Sequence, residues 1–83
     1  MQIEIRFFAS LREALGTASL SWQTEATTVG ALRDELIARG GAWAEVLARG
    51  RAVRAALDQA MVGDDAALRD GAEVAFFPPV TGG

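Results

Sequence analysis

Residues 73–83 read Glu-Val-Ala-Phe-Phe-Pro-Pro-Val-Thr-Gly-Gly, and this segment sets the layout of the whole chain. Its first five residues include the β-branched and aromatic types that favour a strand. Pro78 and Pro79 have no backbone N–H to donate to a sheet, so they end the strand and hold the chain extended. We therefore predict a strand, a stiff spacer and an extended tail over residues 78–83.

The tail finishes with Gly82 and Gly83, which have no side chain to pack against the rest of the domain. One interpretation is a frayed terminus, which is the usual state of chain ends. The other is that the terminal carboxylate is the working group, since a glycine tail is narrow and lets another enzyme's backbone come close. We favour the second, because a frayed end seldom follows a rigid spacer that leaves a well-made strand.

The composition indicates one small globular domain over residues 1–83. Apolar residues make up 51% of the chain, which is enough for a core. No apolar run approaches the roughly 20 residues of a membrane span, and no signal segment opens the chain. We expect a cytoplasmic protein with no membrane partner. The net charge of −3 and the lack of a basic cluster argue against a nucleic-acid partner.

The sequence contains no Cys, no His and no Lys. It therefore excludes disulfides, zinc sites, Cys-ligated iron–sulfur clusters, thiol nucleophiles and His general bases. The remaining Ser, Thr and carboxylate side chains show no catalytic spacing, which argues against a free-standing enzyme. We expect neither a metal nor a bound cofactor in this chain.

Alternating side chains predict two strands near the amino terminus. In residues 2–8, Ile3, Ile5 and Phe7 share one face. Phe8 places an aromatic ring on the other, polar face. Residues 19–23 alternate again, with Leu20 and Trp22 inward, and form an antiparallel pair with the first strand.

Helices are predicted by capping residues and by helical spacing. Ser10 and Glu13 form a capping box that starts a short helix ending by Gly16. Thr28 caps the main helix, which the pair Gly40-Gly41 ends. Its inner face carries Val29, Leu32, Leu36 and Ile37, and its outer face an ion pair between Glu35 and Arg39.

The second half of the chain returns to strands. Residues 42–49 predict a few helical turns, and residues 51–57 a short strand. A tight turn at Asp58-Gln59 leads to a strand around Met61-Val62, and Leu68 is expected to be buried. A further turn, at Asp70-Gly71, precedes the last strand. The order predicts an α+β β-grasp fold, with about five strands in a mixed sheet, one main helix on one face and additional short helices. Strands 1 and 5 are then parallel central neighbours.

The same alternation predicts an apolar surface near the tail. Phe8 and Phe77 lie opposite the core-facing residues of their strands, so they can meet on the helix-free face. Met61 or Val62 must also point outward, because they are adjacent in one strand. Another element could cover the rings. The alternative that we favour is an exposed docking patch. Arg12, at its edge, is either a polar contact of that patch or a solvated helix arginine.

Several segments resemble the small subunits of molybdopterin synthase, a family of ubiquitin-like sulfur carriers. The resemblance spans nearly the whole chain and is most specific in residues 74–83, Val-Ala-Phe-Phe-Pro-Pro-Val-Thr-Gly-Gly. It extends to residues 5–16, to Leu-Asp-Gln-Ala-Met-Val at 57–62, and to the turn at 70–74.

This resemblance implies a ubiquitin-like β-grasp domain whose terminal Gly83 is adenylated by an E1-like activating enzyme that uses ATP. The carboxylate is converted to a thiocarboxylate with sulfur from a persulfide donor. The large synthase subunit then uses that sulfur to convert cyclic pyranopterin monophosphate to molybdopterin, in a heterotetramer of two copies of each subunit. The carrier is a co-substrate and supplies no catalytic side chain. The resemblance supports Phe8, Met61 and Phe77 as partner contacts. The other candidate partner-binding residues are Arg12, Pro78, Pro79, Val80 and Thr81.

Three alternatives remain open from the sequence. The chain could carry sulfur for thiamine synthesis or tRNA thiolation, although the segment Phe76-Phe-Pro-Pro-Val-Thr81 argues against it. It could be a ubiquitin-like modifier attached to lysines of other proteins. It could also be a passive interaction module, in which case the terminal glycines would be dispensable.

Overall fold

The computed structural model describes residues 1–79, which contain five strands and three helices. The order of elements is the predicted one, although the third strand begins at Arg54 instead of Arg51. In chain order the elements are β1 (Gln2–Phe7), α1 (Ala9–Leu15), β2 (Ser19–Gln23), α2 (Val29–Ile37), α3 (Gly41–Val46), β3 (Arg54–Leu57), β4 (Ala60–Val62) and β5 (Glu73–Phe77).

The five strands form one sheet in the order β2-β1-β5-β3-β4. β1 and β5 are parallel central neighbours, with Ile5 beside Val74 and Phe7 beside Phe76. The pairs β1–β2, β3–β5 and β3–β4 are antiparallel. A central parallel pair whose crossover contains the main helix is the β-grasp arrangement. The predicted α+β, ubiquitin-like β-grasp fold is therefore confirmed.

The core lies between the helices and one face of this sheet. Alternate residues of β1 are buried, as the sequence pattern predicts. The ring of Phe7 stacks on that of Phe76 at a centroid distance of 6.2 Å and meets Trp43 edge-on at 5.4 Å. Burying each such side chain contributes about 1.5–3 kcal/mol. The fully buried large side chains are Phe7, Phe76, Ile3, Ile5, Leu32, Leu36, Leu47, Val29 and Val74.

The main helix, α2, begins where Thr28 was predicted to cap it. The Thr28 hydroxyl accepts a hydrogen bond from the Ala31 amide at 3.1 Å. The same helix also carries a buried arginine that the sequence did not reveal. Arg33 is 4% exposed, and burial lowers the pKa of its guanidinium.

The capping box predicted at Ser10 and Glu13 is wrong. Phe8 occupies the N-cap position of α1, and no side chain bonds the free helix amides there. The Phe8 amide instead donates to the Phe76 carbonyl at 3.2 Å, so pairing with β5 continues through Phe8. The chain then turns at Ala9, whose φ of 52° is unusual for a residue with a side chain. Because the helix starts there, Ser10 lies inside its first turn.

Two predictions about α2 also need correction. Glu35 and Arg39 do not pair, because the Glu35 carboxylate accepts hydrogen bonds from the Trp22 indole at 3.0 Å and the Thr24 hydroxyl at 2.7 Å. The Arg39 guanidinium lies over the rings of Trp22 and Trp43, at 5.2 and 4.3 Å from their centroids.

The pair Gly40-Gly41 is not the C-cap of α2, which is Ala38. Gly40 is the N-cap of α3, and Gly41 is the first residue of that helix. Both have positive φ, at 76° and 55°, which glycine adopts without steric cost. The pair therefore forms the corner between two helices.

Other local predictions are confirmed. Asp58 and Gln59 both have positive φ, at 48° and 73°, as expected of a two-residue hairpin turn. Leu68 is buried, and Gly16 adopts the left-handed conformation that ends α1. Among residues 1–79, no helix combines the length and the apolar character that crossing a membrane requires.

Candidate functional site

The tail leaves from the middle of the sheet. β5 lies between β1 and β3, so its backbone is hydrogen-bonded on both sides up to Phe77. Pro78 and Pro79 follow outside the strand, the first half-buried and the second exposed. The tail thus starts from a firmly held point. The predicted site residues Val80, Thr81, Gly82 and Gly83 lie outside the described residues.

Phe8 and Phe77 form a stacked pair on the helix-free face, next to the point where the tail leaves. Their ring centroids are 4.8 Å apart, and the planes are inclined by only 8°. The guanidinium carbon of Arg6 lies 5.5 Å from the Phe8 ring centroid. Both rings are only half-buried, so elements within residues 1–79 leave them partly accessible. The predicted proximity of the two rings is confirmed, and their role in docking stays a prediction.

Met61 lies on the same helix-free face, separated from the stacked pair by Ala75 and Ala56, which are themselves buried. It is 52% exposed and is the exposed large hydrophobic residue of the described chain. In register, Met61 lies opposite Ala56, which lies opposite Ala75 of β5. Val62, by contrast, packs against the core. We call Phe8, Phe77, Ala75, Ala56 and Met61 together the docking face.

Arg12 lies on α1, four residues after Phe8. Its side chain is exposed, and within residues 1–79 it makes no ion pair. Within the same residues, its side chain makes no hydrogen bond and no cation–π contact with Phe8 or Phe77. Its assignment as a partner contact therefore stays a prediction.

Sequence reasoning missed two further residues beside the docking face. Arg6 occupies an outward position of β1 opposite Ala75, and Arg54 of β3 lies opposite Phe77. Both are exposed. The alternation of β1 already placed Arg6 on the face of Phe8. Arg54 could not be placed without the register of β3, which its alanines leave undefined in the sequence.

The side chains of residues 1–79 that surround the tail are of the types that contact a protein partner. Within residues 1–79, no three His, Cys, Asp or Glu side chains lie close enough together to hold a metal ion. The site consists of an apolar face, flanking arginines and a tail that leaves a central strand. This arrangement can seat a partner and direct the tail into it.

Comparison with known proteins agrees with this geometry. The model of the ThiS family matches residues 5–83. The molybdopterin synthase sulfur carrier subunit of Escherichia coli is 46% identical over 81 residues, which cover 98% of this chain and 99% of that protein. Small archaeal modifier protein 3 of Haloferax volcanii is 38% identical over 97 aligned positions, with both chains covered completely.

One solved structure with the same fold contains two different subunits. It is the complex of subunits 1 and 2 of the molybdopterin-converting factor from Helicobacter pylori. One chain of it superimposes with a TM-score of 0.69 and 25% identity, covering 100% of both chains.

Proposed function

This chain belongs to the ThiS family, and from that premise we propose that it is the sulfur carrier subunit of a molybdopterin synthase. The observation that carries the proposal is the 46% identity to the Escherichia coli sulfur carrier subunit over nearly the full length of both chains. The β-grasp fold alone would not suffice, because unrelated functions share folds.

We propose that the carboxylate of Gly83 is the reacting group. A free terminal carboxylate has a pKa of roughly 3.5, so it is ionised near neutral pH and is a poor electrophile. An E1-like activating enzyme would join it to AMP from ATP, which provides a leaving group. The sulfur would come from an external persulfide donor, because the sequence has no Cys to carry it. The product is a thiocarboxylate at the end of a narrow tail.

The folded domain would act as a handle for that tail. Seating the docking face on the large subunit would hold the thiocarboxylate sulfur at a high effective concentration beside cyclic pyranopterin monophosphate. Pro78 and Pro79 would keep the tail extended on its way to the partner's site. The groups that bind the pterin and transfer protons would belong to the large subunit, in a heterotetramer of two copies of each chain. Because activation consumes ATP, we place it in the cytoplasm.

The direct test is the intact mass of the chain after incubation with ATP, the activating enzyme and a persulfide donor. We expect the gain that corresponds to replacing one oxygen atom by sulfur, and we expect it to require all three additions. Fragmentation should place the change on Gly83. The thiocarboxylated chain, added to the large subunit and cyclic pyranopterin monophosphate, should then yield molybdopterin. A chain that acquires no sulfur, or that acquires it elsewhere, would refute the proposal.

A second candidate function is supported by the 38% identity to small archaeal modifier protein 3. A protein modifier would use the same acyl-adenylate but would transfer the acyl group to an amine of another protein. Mass spectrometry of cell extracts distinguishes the two. Peptides joined to Gly83 through an isopeptide bond would favour a modifier, whereas a free thiocarboxylate would favour a sulfur carrier.

A further inference from the structure

The helix-free face of the sheet has an ordered distribution of charge. Near the start of β5, Glu4 of β1 lies opposite Glu73, and both carboxylates are on this face. One step nearer the tail, Arg6 lies opposite Ala75. At the tail end, Arg54 lies opposite Phe77. The acidic side chains thus lie at one end of the face and the arginines at the other, around the stacked phenylalanines.

The charges of these two arginines are little used within the described chain. Arg6 has one ion pair, with Glu73, at the limiting distance of 4.0 Å, and its side chain is 52% exposed. Arg54 is exposed and has no carboxylate within ion-pair distance in residues 1–79. By contrast, Arg49 and Arg69 hold carboxylates at 2.5–2.8 Å. Arg6 and Arg54 therefore have hydrogen-bonding capacity left for a partner.

A partner that covers the docking face must deal with these charges. Removing a guanidinium from water without a counter-charge is strongly unfavourable. Arg6 and Arg54 are immediate neighbours of the rings that a partner would cover, so they would lie inside or at the rim of the contact. The positive charge is local, because the chain as a whole carries a net charge of −3. Such a local patch orients an approaching partner of opposite charge.

We propose that the large subunit presents carboxylates around the pocket that receives Phe8 and Phe77, and that these carboxylates pair with Arg6 and Arg54. The two arginines then determine the rate of docking and the choice of partner, while the phenylalanines supply the apolar contact. This inference rests on the proposed function, since it takes the large synthase subunit as the occupant of the face.

The test is the association rate with the large subunit from the same genome, measured by stopped flow at several salt concentrations. The double variant R6E/R54E should associate about tenfold more slowly at low salt, and added salt should reduce the difference. R69E is the matched control. It makes the same charge change as either single variant, R6E or R54E, on a side chain that is 79% exposed but lies beside Asp58, at the opposite end of β5. It should change the rate by less than about twofold, since salt screens distant charges.

The outcomes separate this inference from the proposed function. A complex whose association rate is unchanged or increased in R6E/R54E would overturn this inference alone. The inference would also be overturned if the slower association disappeared when Gly82 and Gly83 are deleted both from the unaltered chain and from R6E/R54E. In that case the arginines would act on the chain's own tail. If the unaltered chain forms no complex with the large subunit, the proposed function fails, and this inference fails with it. Circular dichroism of each variant checks that the fold is retained.

Discussion

Arg33 holds a loop in place from inside the main helix. Its Nε donates to the Leu47 carbonyl at 2.7 Å, and its Nη2 donates to the carbonyls of Ala48 and Arg51 at 2.7 and 3.1 Å. Residues 47–51 form no helix or strand, and the buried guanidinium supplies hydrogen bonds to three of their backbone carbonyls. The loop leads directly into β3, so the position of one edge of the docking face depends on this side chain.

We expect R33M to destabilise the fold by about 2–4 kcal/mol, because methionine fills similar space but leaves the buried Leu47 carbonyl without its donor and removes one of the two donors to each of the Ala48 and Arg51 carbonyls. Urea unfolding followed by the fluorescence of Trp22 and Trp43 measures the change. R49M is the control. Arg49 is about half exposed, and its ion pairs with Asp34 and Asp64 should contribute less than about 1 kcal/mol. An equal decrease in the free energy of unfolding in the two variants would show that the hydrogen bonds of Arg33 stabilise the fold no more than the exposed ion pairs of Arg49.

Asp34 provides a test with pH. Its hydrogen bond from the Arg49 side chain lowers the pKa of the carboxyl group in the folded state. A lowered folded-state pKa stabilises the protein above the unfolded-state pKa of roughly 3.9, and the stabilisation is lost as the pH falls through the folded-state value. The effect is small, because both partners are exposed.

We therefore expect the stability difference between the unaltered chain and D34N to be present at neutral pH and to shrink under acid conditions. Urea midpoints measured across that range give the difference. D65N removes an acidic charge without removing an arginine contact and corrects for net charge. A difference that persists or grows in acid would contradict the sign of the pKa shift.

Individual side-chain contacts were the hardest features to predict from the sequence. Glu35 and Arg39 have the spacing of a helical ion pair, yet Glu35 accepts hydrogen bonds from Trp22 and Thr24, and Arg39 stacks on Trp43. An exposed pair of this kind is worth only a few tenths of a kcal/mol. Stacking on Trp43 or a bond to the Trp22 indole can therefore outweigh it, and neither neighbour is visible before the fold is known.

At the level of the elements, the two helix starts make a direct comparison. Thr28 caps α2 through its side chain, whereas α1 starts at Phe8 with no side-chain cap. We expect T28A to lower the free energy of unfolding by about 1 kcal/mol, because the Ala31 amide loses its acceptor. S10A should have almost no effect, although the sequence motif alone predicts a similar loss. Denaturation curves of both variants test this. A larger decrease in the free energy of unfolding for S10A than for T28A would show that Ser10 caps α1 after all.

Strand bounds were predicted correctly where apolar and polar side chains alternate. They were predicted less well in β3, where alanines make the alternation indistinct. β1, β2 and β5 have the expected bounds to within one residue. β3 starts later than predicted, because the Arg51 carbonyl accepts bonds from Val53 and from Arg33. That carbonyl is therefore not available to the sheet. The local sequence gives no sign of the second donor, since Arg33 comes from α2.

The two faces of the sheet should respond differently to truncation. F77A removes a half-buried ring from the docking face, and we expect at least a tenfold loss of affinity for the large subunit with a modest loss of stability. L57A removes a half-buried side chain that packs on the core. It should lower stability and leave affinity nearly unchanged. Isothermal titration and urea unfolding of both variants measure the pair of effects. Unchanged affinity in F77A would reject the docking face.

For the whole molecule, the topology could be predicted because few layouts satisfy the pattern. A strand pair, a long helix and a return to the sheet require a crossover, and a right-handed crossover places the last strand beside the first. The candidate site follows from that neighbour relation, which brings Phe8 and Phe77 together. The position of Arg54 on this face could not be predicted, since it depends on the register of β3.

The proposed function makes the position of the terminal carboxylate essential to the molecule, whereas folding and docking depend on residues of the domain. We therefore expect a variant with one alanine added after Gly83 to unfold at the same urea concentration and to bind the large subunit with similar affinity. It should not acquire sulfur or support molybdopterin synthesis, because an added methyl group and an extra residue displace the carboxylate from the narrow site that glycine fits. Intact mass must first show that the added alanine is retained. An extended chain that keeps its alanine and still supports synthesis would refute the sulfur carrier mechanism.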